Sequence, residues 1–397
     1  MPNPLSPGIY IIEESTGARP IQAVGTSTAG FVGAAPQVDA ALDTAVALNN
    51  WSEFLRTFGP QDGAAKPASG NALANAVYGF FLNGGSRCYV VNTRSTDLRK
   101  PLEVLGLVDE IAIIAAPGRI APEDYEALIS AADNAKDRVA VLDGPETAEA
   151  DALVKGAAPA AGDAAGEGPA GKGKPRGAAR PRASEGGYAA FYYPWLRVAD
   201  ALTGQEVSAP PSGHIAGIYA RTDAERGVHK APANATVRGA VNVTQQIARG
   251  DQDLLNPEGL NCLRVFTGEG VKVWGARTLS KNANWTYVNV RRLFNMIEES
   301  IAGSTRWVVF DPNDATLWKS IRRDVGAFLT LLWRQGALQG TKPEEAFFVK
   351  CDAETNTQDD IDAGRVVTVI GIAPVKPAEF VIFRIGQSAG ATSVEAA

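Results

Sequence analysis

The C-terminal quarter of the chain carries its clearest secondary-structure pattern. Between residues 285 and 385, two stretches repeat apolar side chains at helical spacing, and apolar runs typical of strands follow them. The apolar face of the first helix consists of Val290, Leu293, Phe294, Ile297 and Ile301. The apolar face of the second consists of Leu317, Ile321, Val325, Phe328 and Leu332. This stretch predicts an α+β domain in which helices cover one face of a sheet.

Four apolar runs of this domain are expected to be strands, namely RWVVF, FFVKC, RVVTVIGI and EFVIFRI. Asp311, followed by Pro312, is expected to start the second helix. Arg291 and Arg292 lie largely away from the apolar face of the first helix, which places them outside the core. The opposite side of the second helix is basic and carries Lys319, Arg322, Arg323 and Arg334.

Composition indicates a protein with a sizeable core and disfavours nucleic acid as its partner. The chain has 397 residues, 45% of them hydrophobic, which is enough for two or three packed units. Its 38 basic and 44 acidic residues give a formal charge of −6. Binding to nucleic-acid phosphates depends on clustered positive charge, so this balance disfavours a nucleic-acid partner.

The cysteines and the N-terminus indicate the compartment. Cys88, Cys262 and Cys351 are far apart, and none lies in a CxxC or Cys/His pattern. Their odd number favours free thiols in a reducing compartment over a disulfide. The first residues lack the basic and apolar regions of a secretory signal, and no apolar run reaches the ~20 residues of a membrane helix. We therefore expect synthesis in the cytoplasm and no membrane insertion.

Residues 1–20 predict an extended arm. Four prolines prevent a helix over most of the segment, and GIYIIEE between them favours an extended backbone. From these residues alone, the arm is either a disordered leader, an edge strand of its own domain, or a strand donated to a sheet in another subunit.

Residues 21–277 alternate apolar strands with amphipathic helices, as layered α/β proteins do. Strands are expected in IQAVGTSTAGFVG, RCYVVNT, EIAIIAAPG and RVAVLDGP, and helices at 51–58, 71–82 and 123–136. The last of these helices lies between two strands, which predicts parallel strands joined by a crossover. NCLRVF and VKVWGA predict a β-hairpin. The glycines at 25, 30 and 33 match no phosphate-binding pattern, so no nucleotide cofactor is expected.

Residues 155–187 interrupt this pattern with a run of alanine, glycine and proline. The run contains too little apolar surface to offset the entropy of ordering, which predicts a flexible, exposed insert. Its second half is basic and contains Lys172, Lys174, Arg176, Arg180 and Arg182. A solvated linker and a contact with an anionic surface are both compatible with this composition.

A hydrolase is the alternative function that the middle region allows. Its catalytic triad would combine a histidine, an aspartate and a serine chosen from His214, His229, Asp109, Asp143, Ser212 and Ser280. No GxSxG or HExxH motif accompanies them, and each histidine is expected to lie in a loop flanked by glycine and proline. Asp143 ends a strand, where α/β enzymes place catalytic acids but where ordinary strands also end. We therefore predict no catalytic, cofactor or metal site.

Long segments of the chain form recognisable motifs. In the C-terminal domain these are WTYVNVRRLFNMIEESI, RWVVFDPNDATLW, RQGALQGTKPEEAFFVKCD and APVKPAEFVIFRI. Upstream they are GIYIIEESTGARPIQAVGTSTAGFVG, YYPWLRVAD, PPSGHIAGIYARTDAERGVHKAPAN and QDLLNPEGLNCLRVF. These segments resemble the contractile tail sheath proteins of myophages, R-type pyocins and phage-like contractile injection systems. The resemblance covers nearly all of the chain outside residues 155–187.

The resemblance implies a structural subunit, not an enzyme. Such subunits polymerise around an inner tube as a six-start helical sleeve, which contracts from a metastable extended state and drives the tube through a target envelope. The implied middle region is subtilisin-like in fold but has no catalytic triad. The implied partners are other copies of the chain, the inner tube protein, and baseplate and tail-terminator or cap proteins. The product would be a phage tail or a phage-tail-like particle, and its release by lysis is compatible with this assignment.

Another tube or baseplate component of the same machine is a second alternative function. It is disfavoured because those families do not carry this C-terminal domain.

Carried over to this chain, the resemblance predicts an N-terminal arm at 1–20, a sheath N-terminal and middle α/β region at 21–277, a C-terminal α+β sheath domain at 278–385 and a flexible tail at 386–397.

The resemblance favours a donated N-terminal strand made of Ile9, Tyr10, Ile11, Ile12 and Glu13. The C-terminal inter-subunit strand would be Glu379, Phe380, Val381, Ile382, Phe383, Arg384 and Ile385. A helix that faces the tube would use Lys319, Arg322, Arg323 and Arg334, although a solvated charged face also explains these residues.

Overall fold

The computed structural model describes residues 19–60, 69–155 and 180–382. The predicted donated strand at residues 9–13 and the last three residues of the predicted C-terminal strand lie outside this part of the chain. The helices are α1 (Trp51–Phe58), α2 (Ala72–Leu82), α3 (Arg99–Gly106), α4 (Pro122–Ala135), α5 (Ala150–Lys155), α6 (Ser212–Arg226), α7 (Arg249–Leu255), α8 (Val288–Ser304), α9 (Ala315–Arg334), α10 (Pro343–Ala346) and α11 (Gln358–Asp362).

The strands of this part of the chain are β1 (Ala29–Gly33), β2 (Val46–Leu48), β3 (Cys88–Asn92), β4 (Ile113–Ala115), β5 (Val139–Asp143), β6 (Ala189–Tyr193), β7 (Leu196–Ala199), β8 (Glu206–Ala209), β9 (Ala235–Thr236), β10 (Ala240–Val243), β11 (Leu260–Phe266), β12 (Gly270–Trp274), β13 (Phe347–Lys350) and β14 (Val369–Ile372). They form three sheets, of nine, three and two strands.

The nine-stranded sheet has the order β2-β3-β1-β4-β5-β6-β11-β12-β9. Its six central strands, from β3 to β11, are parallel. The strands at its edges, β2, β12 and β9, pair antiparallel. The predicted crossover is confirmed, because α4 joins the parallel strands β4 and β5, and the predicted hairpin is confirmed as β11 with β12.

Helices cover both faces of this sheet. Phe54 of α1 and Phe80 of α2 belong to one buried cluster, and Leu105 of α3 belongs to the other. Within β1, Phe31 packs in the first cluster and Val32 in the second, as alternating side chains of a strand must. Because both faces are covered, the parallel strands appear in the sequence as nearly continuous apolar runs.

Helices α2 and α6 pack closely because glycines face the contact. A Cβ on Gly213 would lie 2.2 Å from the backbone oxygen of Ala76, and a Cβ on Gly217 would lie 2.5 Å from that of Phe80. No side chain fits at these distances, so the two helix backbones approach one another directly.

Replacing Gly213 by alanine is expected to lower the free energy of unfolding by about 1–3 kcal/mol, because the helices must separate to admit the methyl group. Gly326→Ala is the matched control, since no described atom beyond the nearby backbone of its own helix lies within 4 Å of the Cβ position there. In the interior of α9, that change should stabilise by about 0.5–1 kcal/mol. Urea unfolding measures both variants, and equal responses would contradict the close approach of α2 and α6.

The C-terminal residues form a third buried cluster. Helices α8 and α9 pack together with the sheet β13-β14, through Leu293, Ile297, Val325, Phe328 and Leu332. The apolar faces predicted for the two helices therefore lie in the core, and the mixed helix and strand content of this domain is as expected.

Two details predicted for this domain are wrong. RWVVF forms no strand, because α8 continues to Ser304 and the following residues turn the chain in a 3-10 helix at Arg306–Val308. The second helix begins after Asp314, not Asp311, since the Asp314 carboxylate accepts hydrogen bonds from the N–H groups of the first helical turn.

Arg291 and Arg292 are buried, although the sequence placed them outside the core. Their side chains are each 3% exposed, because α8 is covered on several sides and both guanidinium groups find partners. EFVIFRI also differs from the prediction: its described residues, 379–382, form no strand and pair with no other strand in the described part of the chain.

The end of the predicted flexible insert lies on the body of the protein. Residues 156–179 are outside the described part of the chain, but residues 180–187 pack against it. The Arg182 guanidinium contacts the carboxylates of Glu126 at 2.8 Å and Asp133 at 2.9 Å, both on α4. Ser184 is fully buried. These acidic partners order a segment whose own composition contains little to bury.

Candidate functional site: assembly surfaces

Asp143 and Ser212 are in direct contact at the carboxyl edge of the large sheet. Ser212 donates its Oγ hydrogen to Asp143 Oδ2 and its backbone N–H to Oδ1, both at 2.7 Å. The backbone N–H of Gly118 donates to Oδ2 at 3.0 Å. In a catalytic triad a histidine stands between the serine and the acid. Here the acid binds the serine directly, which fastens the start of α6 to the end of β5.

The expectation that His214 lies in a loop is wrong: it lies in the first turn of α6, because Pro211 precedes this helix at its N-cap and does not interrupt it. The ring is buried in the contact between α6 and α2. It lies so close to Gly79 that a Cβ there would be 2.4 Å from it. Burial lowers the pKa of His214 to about 4, so the ring is neutral near pH 7. Within the described ranges, its Nδ1 has no hydrogen-bond partner. His214 therefore fills the helix contact and does not approach Ser212 as a base.

The remaining triad candidates lie elsewhere. Asp109 is exposed just before β4, at the amino ends of the parallel strands, whereas Asp143 lies at their carboxyl ends. Ser280 donates its hydroxyl to the backbone oxygen of Glu185 at 2.8 Å. His229 is partly buried beyond the end of α6. The structure thus brings together one candidate acid and one candidate serine, and joins neither to a histidine through a hydrogen bond among the residues it describes.

The Asp143 contact predicts a pH dependence of stability. Burial raises the pKa of Asp143 to about 6, although three donated hydrogen bonds oppose this shift. A carboxyl group whose pKa is higher in the folded than in the unfolded protein stabilises the fold at low pH, and this stabilisation is lost as pH rises towards 6. The quantity to compare is the difference in the free energy of unfolding between the wild type and Asp143→Asn, taken as wild type minus variant at each pH. We expect this difference to fall by up to about 3 kcal/mol between pH 4 and 7.

Chemical denaturation at several pH values measures this difference, and titration of all other groups cancels in it. A difference that stays constant between pH 4 and 7 would contradict the burial of an ionisable Asp143.

The described residues contain no group of three or more His, Cys, Asp or Glu side chains suited to a metal ion. Among the helices that the structure describes, none combines the length and the apolar composition of a membrane span. The prediction of free cysteines is confirmed for Cys88, Cys262 and Cys351, all of which are buried. Burial raises the pKa of the Cys262 thiol to about 12, so it is protonated and unreactive near pH 7.

The N-terminal segment of the described chain lies along α8. The backbone N–H of Gln22 donates to Ser304 Oγ at 3.2 Å, and that of Val24 donates to Ser300 Oγ at 3.0 Å. Two turns earlier in the helix, Arg292 Nη2 donates to the backbone oxygen of Thr26 at 2.9 Å. The described residues before this segment lie beyond the C-terminal end of α8, where the Arg19 guanidinium is 4.5 Å from the centre of the Trp307 ring.

The C-terminal segment is held by the carboxylate of Glu379. Arg277 donates to it through Nε at 2.8 Å and Nη2 at 2.6 Å. Asn256 Nδ2 donates at 2.7 Å and the Tyr287 hydroxyl at 2.9 Å. Burial alone would raise the pKa of Glu379, but these donors outweigh it and hold the pKa below its ordinary value. We call this set of four side chains the Glu379 anchor.

Beyond the Glu379 anchor, three consecutive apolar side chains face solvent. Phe380, Val381 and Ile382 are 72%, 69% and 82% exposed. Exposed apolar side chains in sequence mark surfaces that bind another protein. This is the described part of the predicted inter-subunit strand.

The four basic residues predicted to face a tube share one side of α9. At about 100° per residue, Lys319, Arg322, Arg323 and Arg334 occupy roughly a third of the helix circumference. All four are exposed, and Arg323 Nε contacts the carboxylate of Asp324 at 2.9 Å. The opposite side of α9 packs in the core.

Sequence reasoning missed the ionic contacts that hold these surfaces in place. Arg277 and Glu379 are separated by 102 residues, and Arg292 and Asp223 by 69. No local pattern connects residues so far apart. The one available signal was a charged residue directly before an apolar run, such as Glu379 before Phe380, Val381 and Ile382.

Two family profiles match consecutive parts of the chain. The phage tail sheath protein central domain matches residues 108–279, and the phage tail sheath C-terminal domain matches residues 280–388. The chain belongs to the phage tail sheath protein family. In this sheath protein, the boundary between the two matches falls between Arg277 and Tyr287, so the Glu379 anchor joins residues from both sides of it.

Individual relatives of the chain are also tail sheath proteins. The sheath protein is 29% identical over 198 residues to the major tail sheath protein assigned to a prophage of Pseudomonas aeruginosa strain UCBPP-PA14, covering 48% of this chain and 49% of that protein. It is 30% identical over 188 residues to the tail sheath protein of Burkholderia phage BcepMu, covering 44% of this chain and 37% of that protein. The match thus spans half or less of these curated relatives.

Solved structures match over nearly the whole chain. The PVC sheath complex of an extracellular contractile injection system, in the contracted state, is 31% identical with a TM-score of 0.76, covering 98% of this chain and 99% of that one. A chain of the anti-feeding prophage baseplate structure is also 31% identical with a TM-score of 0.76, covering 98% of this chain and 100% of that one. These matches include the N-terminal region that the family profiles leave out.

Proposed function

We propose that this sheath protein is the structural subunit of a contractile sheath. Copies polymerise as a six-start helical sleeve around an inner tube and contract from a metastable extended state, which drives the tube through a target envelope. The observation that carries the proposal is the match to the PVC sheath in its contracted state, which covers 98% of this chain and 99% of that one. This whole-length likeness favours a phage-like contractile injection system over a phage tail or a bacteriocin.

The two chain ends link the subunits. Residues 9–13 and 379–385 each add a strand to a sheet in a neighbouring copy, because an extended segment can complete an unpaired sheet edge through backbone hydrogen bonds. The exposed side chains of Phe380, Val381 and Ile382 support this role, since pairing would remove their apolar surface from water.

The central region is the rigid body that these ends connect. Its six parallel strands, with helices on both faces, support a subtilisin-like fold. Because Ser212 donates its hydroxyl hydrogen directly to Asp143, this fold contributes a scaffold and not a hydrolase. The proposed divisions of the chain are residues 1–20, 21–277, 278–385 and 386–397.

Contraction requires strong links between subunits and weak links to the tube. The arms keep the copies joined while their bodies repack, and the lower energy of the contracted lattice supplies the work without nucleotide hydrolysis. The contacts with the tube must break during contraction, and exposed ion pairs worth roughly 0–1 kcal/mol each meet this requirement. The exposed basic side of α9 supplies such pairs.

Other components complete the particle. The inner tube protein, a baseplate and a tail-terminator or cap protein are the proposed partners, and the likeness to a chain of a baseplate structure supports contact with a baseplate. The subunits are made in the cytoplasm and assemble into a phage-tail-like particle that lysis releases.

Coexpression with the inner tube protein tests the proposed function. We expect negative-stain electron microscopy to show striated sleeves around tubes. Bare tubes beside a folded, monomeric sheath protein would contradict the proposal.

Reversing charge on the basic side of α9 tests its contact with the tube. Arg322→Glu combined with Arg323→Glu should reduce the number of sheathed tubes by about tenfold or more, since two lost pairs of roughly 0.7 kcal/mol already give that factor. Microscopy counts sheathed and bare tubes.

Arg99→Glu combined with Lys100→Glu is the matched control. These neighbouring residues are also exposed on a helix, and Arg99 contacts an adjacent carboxylate as Arg323 does. Normal sheathing by the α9 variant, or equal loss in both variants, would show that this side of α9 does not face the tube.

A further inference from the structure

Both ends of the described chain are fastened to one helix. The N-terminal segment is bonded to Ser300 and Ser304, in the last turns of α8. The C-terminal segment is bonded to the other end: Tyr287, which caps α8, donates to Glu379, and Asn289 Nδ2 donates to the backbone oxygen of Val375 at 3.3 Å. The two attachment points are therefore separated by the length of the helix.

Helix α8 is long and firmly held. Its 17 residues correspond to about 25 Å at ~1.5 Å per residue. The Arg291 guanidinium lies 4.2 Å from the centre of the Trp285 ring and 4.6 Å from that of Tyr188, and Arg291 Nε donates to Asn295 Oδ1 at 2.7 Å. Arg292 donates to Asp223 of α6 at 2.9 and 2.6 Å. The contacts with Tyr188 and Asp223 fix the first turns of the helix to the central region, and the hydrogen bonds from Gln22 and Val24 hold its last turns.

We propose that α8 is a strut that holds the bases of the N-terminal and C-terminal arms of one subunit at a constant separation, and that Glu379 is the residue that positions the C-terminal arm on it. The inference rests on the proposed function, in which both ends bind neighbouring copies. Tension that enters a subunit through one arm then passes along α8 to the other arm. The central region does not have to deform to transmit it.

The hydrogen bonds at the two attachments support the proposed roles of Glu379 and α8. Four hydrogen bonds from three side chains converge on the Glu379 carboxylate, and charge-assisted bonds of this kind are stronger than neutral ones. They hold the chain immediately before its exposed apolar residues. At the other attachment, backbone N–H groups donate to serine hydroxyls, and Ile21 adds a buried apolar contact.

The separation of the two arm bases can be measured directly. Pro20 and Val381 are exposed and lie just outside the two attachments, so cysteines introduced there accept spin labels while the three native cysteines stay buried. Pulsed electron paramagnetic resonance on the monomer should give one narrow distance distribution. In Glu379→Gln, its width should increase at least about twofold, because local detachment frees the C-terminal label. Glu344→Gln, an exposed carboxylate in the same domain, is the control and should leave it unchanged.

A broad distribution in the wild type, or an unchanged width in Glu379→Gln, would overturn the strut. If Glu379→Gln does not fold, Asn256→Ala removes a single donor from the anchor and should broaden the distribution less. The distance measurement uses the monomer, so it tests the strut whether or not sleeves form. Electron microscopy of sleeves tests the proposed function independently. In assembled sleeves, the mean distance should be the same before and after contraction, and a change between the two states would also overturn the proposal.

Discussion

Replacing Arg292 by methionine is expected to lower the free energy of unfolding by about 3–5 kcal/mol, because it leaves a buried carboxylate without its cationic partner. The Arg292 and Asp223 side chains are 3% and 8% exposed, and two hydrogen bonds join them. Arg292 also donates to the backbone oxygen of Thr26, so the change loosens the N-terminal segment as well. Chemical denaturation of the purified monomer measures the effect.

Two further variants isolate its cause. Lys155→Met removes an ion pair whose side chains are 76% and 67% exposed, and should cost no more than about 1 kcal/mol. Arg292→Met combined with Asp223→Leu removes both charges and should recover part of the lost stability, since no buried carboxylate then lacks a cation. A loss below about 1 kcal/mol in Arg292→Met would mean that the pair does not join α6 to α8 as described.

Deleting residues 1–15 is expected to abolish sleeve formation while the monomer stays folded. The proposed donated strand, residues 9–13, is removed, so each copy loses a backbone link to a neighbour. The hydrogen bonds of Gln22, Val24 and Thr26 to α8 remain, and so does the buried Ile21. Circular dichroism and size-exclusion chromatography report the monomer, and electron microscopy of material coexpressed with the inner tube protein reports the sleeve.

Deletion of residues 389–397 is the control for this experiment. These residues follow the end of the matched C-terminal family domain at residue 388, so sleeves should form normally without them. Normal sleeves from the protein that lacks residues 1–15 would disprove the role of the N-terminal arm.

Much of the fold could be predicted because it depends on local patterns. The apolar faces of α8 and α9 follow from helical spacing, and the crossover through α4 follows from a helix placed between two short apolar strands. RWVVF shows the limit of this reasoning. Its composition favours a strand, but a strand also needs a partner, and these residues turn the chain between two long helices.

The candidate surfaces were predictable in part. The basic side of α9 follows from periodicity alone, and the structure places all four residues on an exposed surface. The Glu379 anchor was not predictable, because its donors come from residues 256, 277 and 287, which are remote from Glu379 in sequence. For the same reason, the sequence left Asp143 and Ser212 as separate candidates, although the fold joins them.

By itself, the sequence determined the positions of several helices and strands and the family to which the chain belongs, because periodicity, turn residues and long motifs are properties of neighbouring residues. Only the tertiary structure decided which charges are buried and what holds the chain ends. Arg291 and Arg292 are core residues because aromatic rings and carboxylates from distant segments close around them. A charged side chain can be buried only where such partners meet it, and the fold alone brings them together.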